Sequence, residues 1–250
     1  MMICRQPVRL FCSDLDGTLL GNPNASRRFR RFWHNLPSGQ RPLLIYSSGR
    51  LVHQIEEPVQ QGLLPQADYY IAGVGVLIHE VASRRDVDAF TETLRTGWDV
   101  DLVSEFGDRL PGAVRQPEIF QHAFKRSWYW SGATAEALTE LRRELDLAGL
   151  AASVVYSSRR DLDIVPRNAT KGGSLRWLCQ HLGVPLEQVL VAGDTGNDRD
   201  MFLVSGVRGI LMRDSQPELT LAVDTLPVFR ARLPQADGVI EGLKHFGIGC

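Results

Sequence analysis

Short apolar runs alternate with stretches of helical period toward both ends of the chain, and the middle breaks that rhythm. Val8 to Ser13 is an apolar run too short for a helix and reads as a buried parallel strand. In Ala25 to Leu36 the residues Phe29, Phe32, Trp33 and Leu36 form one stripe, which predicts an amphipathic helix with Asn24 as its N-cap. Pro42 opens a second apolar strand, Leu43 to Tyr46. A helix from Leu51 to about Gln61 and a third strand, Tyr69 to Ala72, come next. That strand closes on Gly73-Val74-Gly75, where backbone can approach a ligand closely. From about Glu80 to Asp163 the pattern is mixed, with helices over about 87–109 and 134–148 and strand-like runs at 123–130 and 153–156. Trp128 and Trp130 alternate there with polar or smaller neighbours, as in a half-exposed antiparallel strand. The first rhythm returns at Lys171. A helix to about Leu182, a strand at 189–192, a helical turn at 199–203, a strand at 209–212 and helices at 217–222 and 236–246 complete the chain. Strand–helix alternation on both sides of a mixed segment predicts an α/β protein: a parallel sheet with helices on its faces, interrupted by an α+β insert.

Composition narrows this picture. At 250 residues, 44% hydrophobic and 23% charged, the chain supports a sizeable core and is globular rather than disordered. A net charge of −1 and a pI of about 6.6 provide no basic field for nucleic acid. The local run Arg27, Arg28, Arg30 and Arg31 lies on the polar side of its helix and reads as a solvated face. Cys4, Cys12, Cys179 and Cys250 are scattered without Cys-x-x-Cys spacing, so neither a zinc site nor a disulfide scaffold is expected, and reduced thiols suit a cytosol. The six histidines show no ligand spacing, and Trp33, Trp98 and Trp177 read as core. No apolar stretch approaches the ~18 residues that span a bilayer, and no signal-peptide segment opens the chain. The expectation is a cytoplasmic protein with no membrane partner.

Chemistry concentrates where apolar strands run out. Asp14-Leu15-Asp16-Gly17-Thr18 puts two carboxylates one residue apart at a strand end, where they repel unless a cation or a shared proton separates them. A hard divalent cation such as Mg²⁺, completed by substrate phosphate, resolves the conflict. Ser48 and the trio Asp194, Asn197 and Asp198 follow other strands in the same way. In open parallel sheets ligands bind beyond the carboxyl ends of the strands. Carboxylates, a hydroxyl and a lysine gathered there suit a phosphoryl group and its cation, with an aspartate as nucleophile.

DLDGT at Asp14–Thr18, the serine of SSGR at Ser48, Lys171 and GDTGND at Gly193–Asp198 resemble, in order and spacing, the four motifs of the haloacid dehalogenase superfamily of phosphatases. The resemblance implies a Rossmann-like parallel-sheet core, residues 1–79 and 164–250, with an inserted α+β cap over 80–163 that sets substrate specificity. It implies Asp14 as nucleophile and Mg²⁺ ligand. Asp16 would ligate the metal through its backbone carbonyl and act as general acid and then base. Ser48 and Lys171 would hold phosphoryl oxygens, Asp194 would ligate Mg²⁺, and Asp198 would be a ligand or support one. Serine stands at the second motif where many relatives carry threonine.

SSGR, YYIAGVG, FKRSW, YSSRRDLDIVP, KGGSLRWL and ADGVIEGLKHFG resemble the sucrose-phosphate phosphatase group over essentially the full length. ASRRFRRFWHNLP, QHAFKRSWYW and YSSRRDLDI bring the chain nearest to its mannosylfructose-phosphate phosphatases. The substrate so implied is a phosphorylated disaccharide, with sucrose-6-phosphate as the alternative, and functional pairing with a disaccharide-phosphate synthase is expected. The rival classes are a phosphomutase, against which the large insert argues, and a non-catalytic sugar-phosphate sensor, against which Asp14, Asp16 and Lys171 argue.

Within the insert, Arg160-Asp161-Leu162-Asp163-Ile164 alternates so that both aspartates share one face. They are either hydrogen-bond partners for vicinal sugar hydroxyls or charges on a solvent-facing edge that discourage aggregation. Lys125, in the FKRSW run, and Gly49, Arg50 and Asn197, beside the motifs, are further candidate substrate contacts.

Overall fold

The computed structural model describes residues 6–249. The chain begins with strand β1 (Leu10–Ser13), helix α1 (Pro23–Asn35), β2 (Leu43–Ser47), α2 (Val52–Gln60) and β3 (Tyr69–Ala72). β1, β2 and β3 pair in parallel and are almost wholly buried, as their continuous apolar runs require. α1 starts two residues earlier than the apolar stripe indicates. Its cap is Asn22 rather than Asn24, and the Asn22 side chain accepts from the amides of Asn24 and Ala25. The reason is Pro23, whose fixed φ and missing N–H suit the first helical position and leave the capping role to the residue before it.

The next elements are β4 (Leu77–Glu80), β5 (Arg85–Asp86), α3 (Asp88–Glu92) and α4 (Val100–Asp108). β4 continues the first sheet antiparallel to β3, β5 pairs antiparallel to β4, and Phe90 and Leu94 are buried in the first core with Trp177 packed edge-on against Phe90. The single helix expected over 87–109 is thus two. Gly97 takes a left-handed φ of 71° between them, and the Asp99 side chain caps α4 by accepting from the amides of Asp101 and Leu102.

The middle segment continues with β6 (Val114–Arg115), β7 (Arg126–Tyr129), α5 (Ala135–Leu147), β8 (Ala152–Ser157) and β9 (Asp161–Pro166). These strands form a separate four-stranded antiparallel sheet in the order β6-β7-β9-β8. One face carries a second core of Val103, Trp128, Trp130, Leu141, Leu145, Leu162 and Ile164. Trp33 is buried in the first core, while Trp98 lies between the two cores and donates to the Ala123 carbonyl.

The chain returns to the first sheet through α6 (Lys171–Leu182), β10 (Val189–Gly193), α7 (Arg199–Phe202), β11 (Arg208–Leu211), α8 (Pro217–Ala222), β12 (Phe229–Arg230) and α9 (Gln235–His245). The eight-stranded order is β12-β11-β10-β1-β2-β3-β4-β5, and every pairing is parallel except β3 with β4 and β4 with β5. From β1 the chain steps outward to β2 and β3 on one side, and later to β10, β11 and β12 on the other. The β1/β10 boundary is therefore the topological switch point, where such sheets bind ligands. Cys12 and Cys179 are buried free thiols whose pKa burial pushes up, that of Cys179 to about 12, so neither is a ready thiolate. Cys4 and Cys250 lie outside the described residues. Among the described residues no helix is long and apolar enough to cross a membrane.

Candidate active site

β1 and β10 run side by side with Ser13 paired to Ala192, so Asp14 and Asp194 leave adjacent strands at the same level. The Asp14 amide still donates to the Ala192 carbonyl at 2.9 Å, which anchors its side chain to the sheet. One carboxylate oxygen each from Asp14, Asp194 and Asp198 lies within 4.8 Å of the other two, and all three residues are buried. Lys171, with no exposed surface, donates at 2.6 Å to Asp14 Oδ1 and at 2.6 Å to Asp198 Oδ1. The other oxygen of Asp198 accepts from the amides of Asp194 and Thr195 at 2.9 and 3.0 Å.

Two glycines make this spacing possible. Gly17 has φ 86°, and a Cβ there would stand 2.2 Å from Asp194 Oδ2. Gly75 has φ 111°, and a Cβ would strike the Thr170 carbonyl carbon at 2.5 Å. The turn holding Gly75 therefore packs directly on the start of α6, where Ser174 Oγ donates to the Gly75 carbonyl and Thr170 caps the helix. That contact fixes Lys171 in the first turn. Thr18 Oγ1 holds Asp194 Oδ1 at 2.9 Å, a contact the sequence reading did not assign.

Three buried carboxylates face one ammonium. Burial raises the pKa of Asp14 well above the usual carboxylate range, with the charge of Asp198 adding and Lys171 opposing. Burial and then Asp198 raise Asp194 to about 6, against the hydrogen bond from Thr18. Burial opposes the charge on Lys171, but Asp14 and Asp198 outweigh it and hold the amine protonated. The excess of hard, anionic oxygen donors fits a divalent cation such as Mg²⁺.

Asp194 has a folded pKa above its unfolded value, so the cation-free protein binds more protons folded than unfolded between about pH 4 and 6. Its contribution, on the order of 3 kcal/mol, is present at low pH and lost as pH rises through that window. A cation would compete with protons for the same oxygens. Mg²⁺ at about 100 times its Kd should raise Tm by about 5–10 °C at pH 7.5 and by less at pH 5. Equal shifts at both pH values, or none, in a thermal melt would show that these carboxylates do not hold a cation.

Ser48, at the end of β2, is buried, and its Oγ accepts from the Arg50 amide at 3.2 Å. Gly49 and Arg50 follow on the wall of a cleft of about 520 Å³, within the range of small-molecule sites. The Arg50 guanidinium is not free in that cleft. It pairs with the Asp16 carboxylate through Nε at 2.8 Å and Nη2 at 2.7 Å. Asp14, Asp16, Ser48 and Asn197 line the same cleft, with the Asn197 side-chain oxygen accepting from Thr195 Oγ1.

The facing wall comes from the second sheet: Gln116, Lys125, Tyr129, Arg160, Asp161 and Asp163. Asp161 and Asp163 share a face while Leu162 and Ile164 enter the second core, as the alternation implies. The edge-strand alternative is overturned, because β9 pairs with β7 on one side and β8 on the other. Asp163 is buried, accepts from Ser127 Oγ at 2.6 Å and stands 3.3 Å from Lys125 Nζ. Asp161 pairs with Arg160, whose guanidinium lies 4.9 Å over the Tyr129 ring. The sequence reading missed Ser127 and Tyr129. The signal was present, since Lys125, Ser127 and Tyr129 alternate with the core-facing Trp128 and Trp130.

The chain matches known proteins over nearly its full length. Residues 7–247 match the family described as sucrose-6F-phosphate phosphohydrolase. The chain is 43% identical over 244 residues to a mannosylfructose-phosphate phosphatase of Agrobacterium fabrum, covering 97% of this chain and 98% of that one. Sucrose-phosphatase 1 of Nicotiana tabacum is 30% identical over 96% of this chain, which spans 59% of that longer protein. Among solved structures, the sucrose-phosphatase of Synechocystis, determined with sucrose and phosphate, superposes with a TM-score of 0.88 at 28% identity, covering 97% of this chain and 99% of that one.

Proposed function

Since the chain belongs to the sucrose-6F-phosphate phosphohydrolase family of the haloacid dehalogenase superfamily and is a sugar-phosphate phosphatase, we propose that it hydrolyses a phosphorylated disaccharide, mannosylfructose-phosphate, through an aspartyl-phosphate. The observation that carries this reading is the shared cleft, with Asp14, Asp16 and Ser48 on one wall and Lys125, Asp161 and Asp163 on the other. The 43% identity favours mannosylfructose-phosphate. The likeness to the Synechocystis sucrose-phosphatase keeps sucrose-6-phosphate as the alternative. Such a substrate has to be supplied by a disaccharide-phosphate synthase, and functional pairing with one belongs to the proposal.

In this mechanism the Asp14 carboxylate attacks phosphorus. The bond to the sugar oxygen breaks, and Asp16 donates the proton that oxygen takes up. A water oxygen then attacks the phosphorus and gives its proton to Asp16, and the bond between phosphorus and the Asp14 oxygen breaks to release phosphate. Lys171, 2.6 Å from Asp14, favours the anionic form of the nucleophile against burial and, with Ser48, faces the phosphoryl oxygens. Asp198, with one oxygen on Lys171 and the other on two backbone amides, orients the lysine. Mg²⁺ held by Asp14, Asp194 and the Asp16 carbonyl would supply further positive charge to the phosphoryl oxygens. The second-sheet unit, about residues 97–165, acts as the cap that reads the sugar. That boundary departs from the cap expected over 80–163, and its support is that β4 and β5 pair with the first sheet while Phe90 and Leu94 pack in the first core.

The test separates sugar reading from chemistry. Asp161→Asn and Asp163→Asn should lower kcat/KM for mannosylfructose-phosphate by ~10–100-fold and leave 4-nitrophenyl phosphate, which does not reach them, nearly unchanged. Wild-type kinetics on the disaccharide phosphate in both variants would remove the cap aspartates from substrate recognition.

A further inference from the structure

Arg50 is committed to a carboxylate rather than to open cleft. Its guanidinium meets Asp16 in a planar two-bond pair, Nε to Oδ2 at 2.8 Å and Nη2 to Oδ1 at 2.7 Å, while Nη1 donates to the Gln54 carbonyl at 3.2 Å. The backbone of Arg50 is held as well: its amide donates to Ser48 Oγ at 3.2 Å and its carbonyl accepts from the Gly73 amide at 2.8 Å. All three guanidinium nitrogens are thus engaged, from a residue fixed between the second motif and the turn that locates Lys171. The Asp16 side chain, by contrast, is 58% exposed, and Arg50 is its one side-chain partner among the described residues.

We propose that Arg50 is a positioning residue for the reaction: it acts through Asp16 and sets where that carboxylate stands, two residues beyond the nucleophile, rather than binding the substrate. The inference rests on the acid–base reading of Asp16. An exposed aspartate without a partner samples several rotamers, and a catalytic group displaced by about 1 Å loses up to ~10²-fold in rate. A two-bond grip on both oxygens removes that freedom. An exposed ion pair of this kind adds little to stability, so a purely structural role leaves the geometry without a purpose. Lysine, with a single ammonium, cannot reproduce the grip.

The experiment compares Arg50→Gln, Arg50→Lys, Asp16→Asn and the Asp16→Asn/Arg50→Gln double variant on mannosylfructose-phosphate and 4-nitrophenyl phosphate. The sugar leaving group needs a proton and the nitrophenolate hardly does. In the single-turnover phosphoryl-transfer step, which precedes the water attack common to both substrates, Arg50→Gln should lower the rate on the sugar phosphate by ~10–100-fold with KM within about threefold, and the rate on the aryl phosphate by less than about threefold. Arg50→Lys should recover only part of the loss, and added guanidinium should partly rescue Arg50→Gln. In the double variant the Arg50 change should cost nothing further, since the group it acts through is gone. A rise in KM at unchanged kcat, equal losses on both substrates, or losses that multiply in the double variant would overturn the proposal. If Asp16→Asn itself shows equal losses on both substrates, the acid–base reading fails and the role of Arg50 fails with it. If only the Arg50 variants do so, that reading stands and this inference alone falls.

Discussion

Asp14→Asn should lose at least ~10⁴-fold in turnover while keeping the fold. The amide has the shape of the carboxylate, so the anchor to β10 and the packing around Lys171 survive, but it is not an anionic nucleophile. The structure also gives the sign of the stability change. Burial and the charge of Asp198 disfavour the ionised form of Asp14, so the neutral amide relieves crowding at neutral pH. The variant should melt no lower than the parent in the absence of Mg²⁺. Near-normal phosphate release by this variant would move the nucleophile elsewhere.

Lys171→Met should damage both activity and stability. Methionine matches the length of the lysine stem, so the change removes mainly the ammonium. Asp14 and Asp198 then lose a cation that stands 2.6 Å from each, in a site with no exposed lysine surface. Removing one partner of a buried pair costs about 3–5 kcal/mol, which corresponds to a Tm lower by about 10 °C for a chain of this size. Turnover should fall by ~10³-fold, the scale for removing one preorganised charge facing the reacting group. The stability loss has a pH signature. Burial already raises the pKa of Asp14 and Lys171 opposes that rise, so without the ammonium Asp14 takes up a proton more readily still when folded and the variant recovers as pH falls. The Tm gap from the parent should be widest near pH 8 and shrink toward pH 5. A gap constant across that range would mean the lysine contributes packing rather than charge.

The polar ends of the strands were legible because each follows an apolar run that can only be a buried strand. What put them together was not. The pairing of β1 with β10 brings Asp14 and Asp194 together across 180 positions of chain, and no local pattern encodes that adjacency. Lys171 opens a helix rich in glycine and, taken alone, resembles a solvated N-terminus; its complete burial comes from the Gly75 turn packing against it. The helix expected over 87–109 failed on a capping residue and a left-handed glycine, Asp99 and Gly97, that interrupt an otherwise apolar period. The extension of the first sheet by β4 and β5 was missed because four and two residues are too short to register as a pattern. In the second sheet the alternation identified the face of Asp161 and Asp163 but not its neighbours. Only strand pairing shows that β9 is interior, and only the shared cleft sets its carboxylates opposite Asp14.

The transfer of phosphoryl from a disaccharide phosphate to Asp14 is tested most directly by rapid-quench mass spectrometry of the protein during turnover of mannosylfructose-phosphate. The expected result is a transient, hydroxylamine-labile phosphoryl adduct on the peptide carrying Asp14, formed and consumed at rates that match disaccharide and phosphate release, and absent from Asp14→Asn. An adduct on any other residue, or full turnover with Asp14 unmodified at every time point, would contradict it.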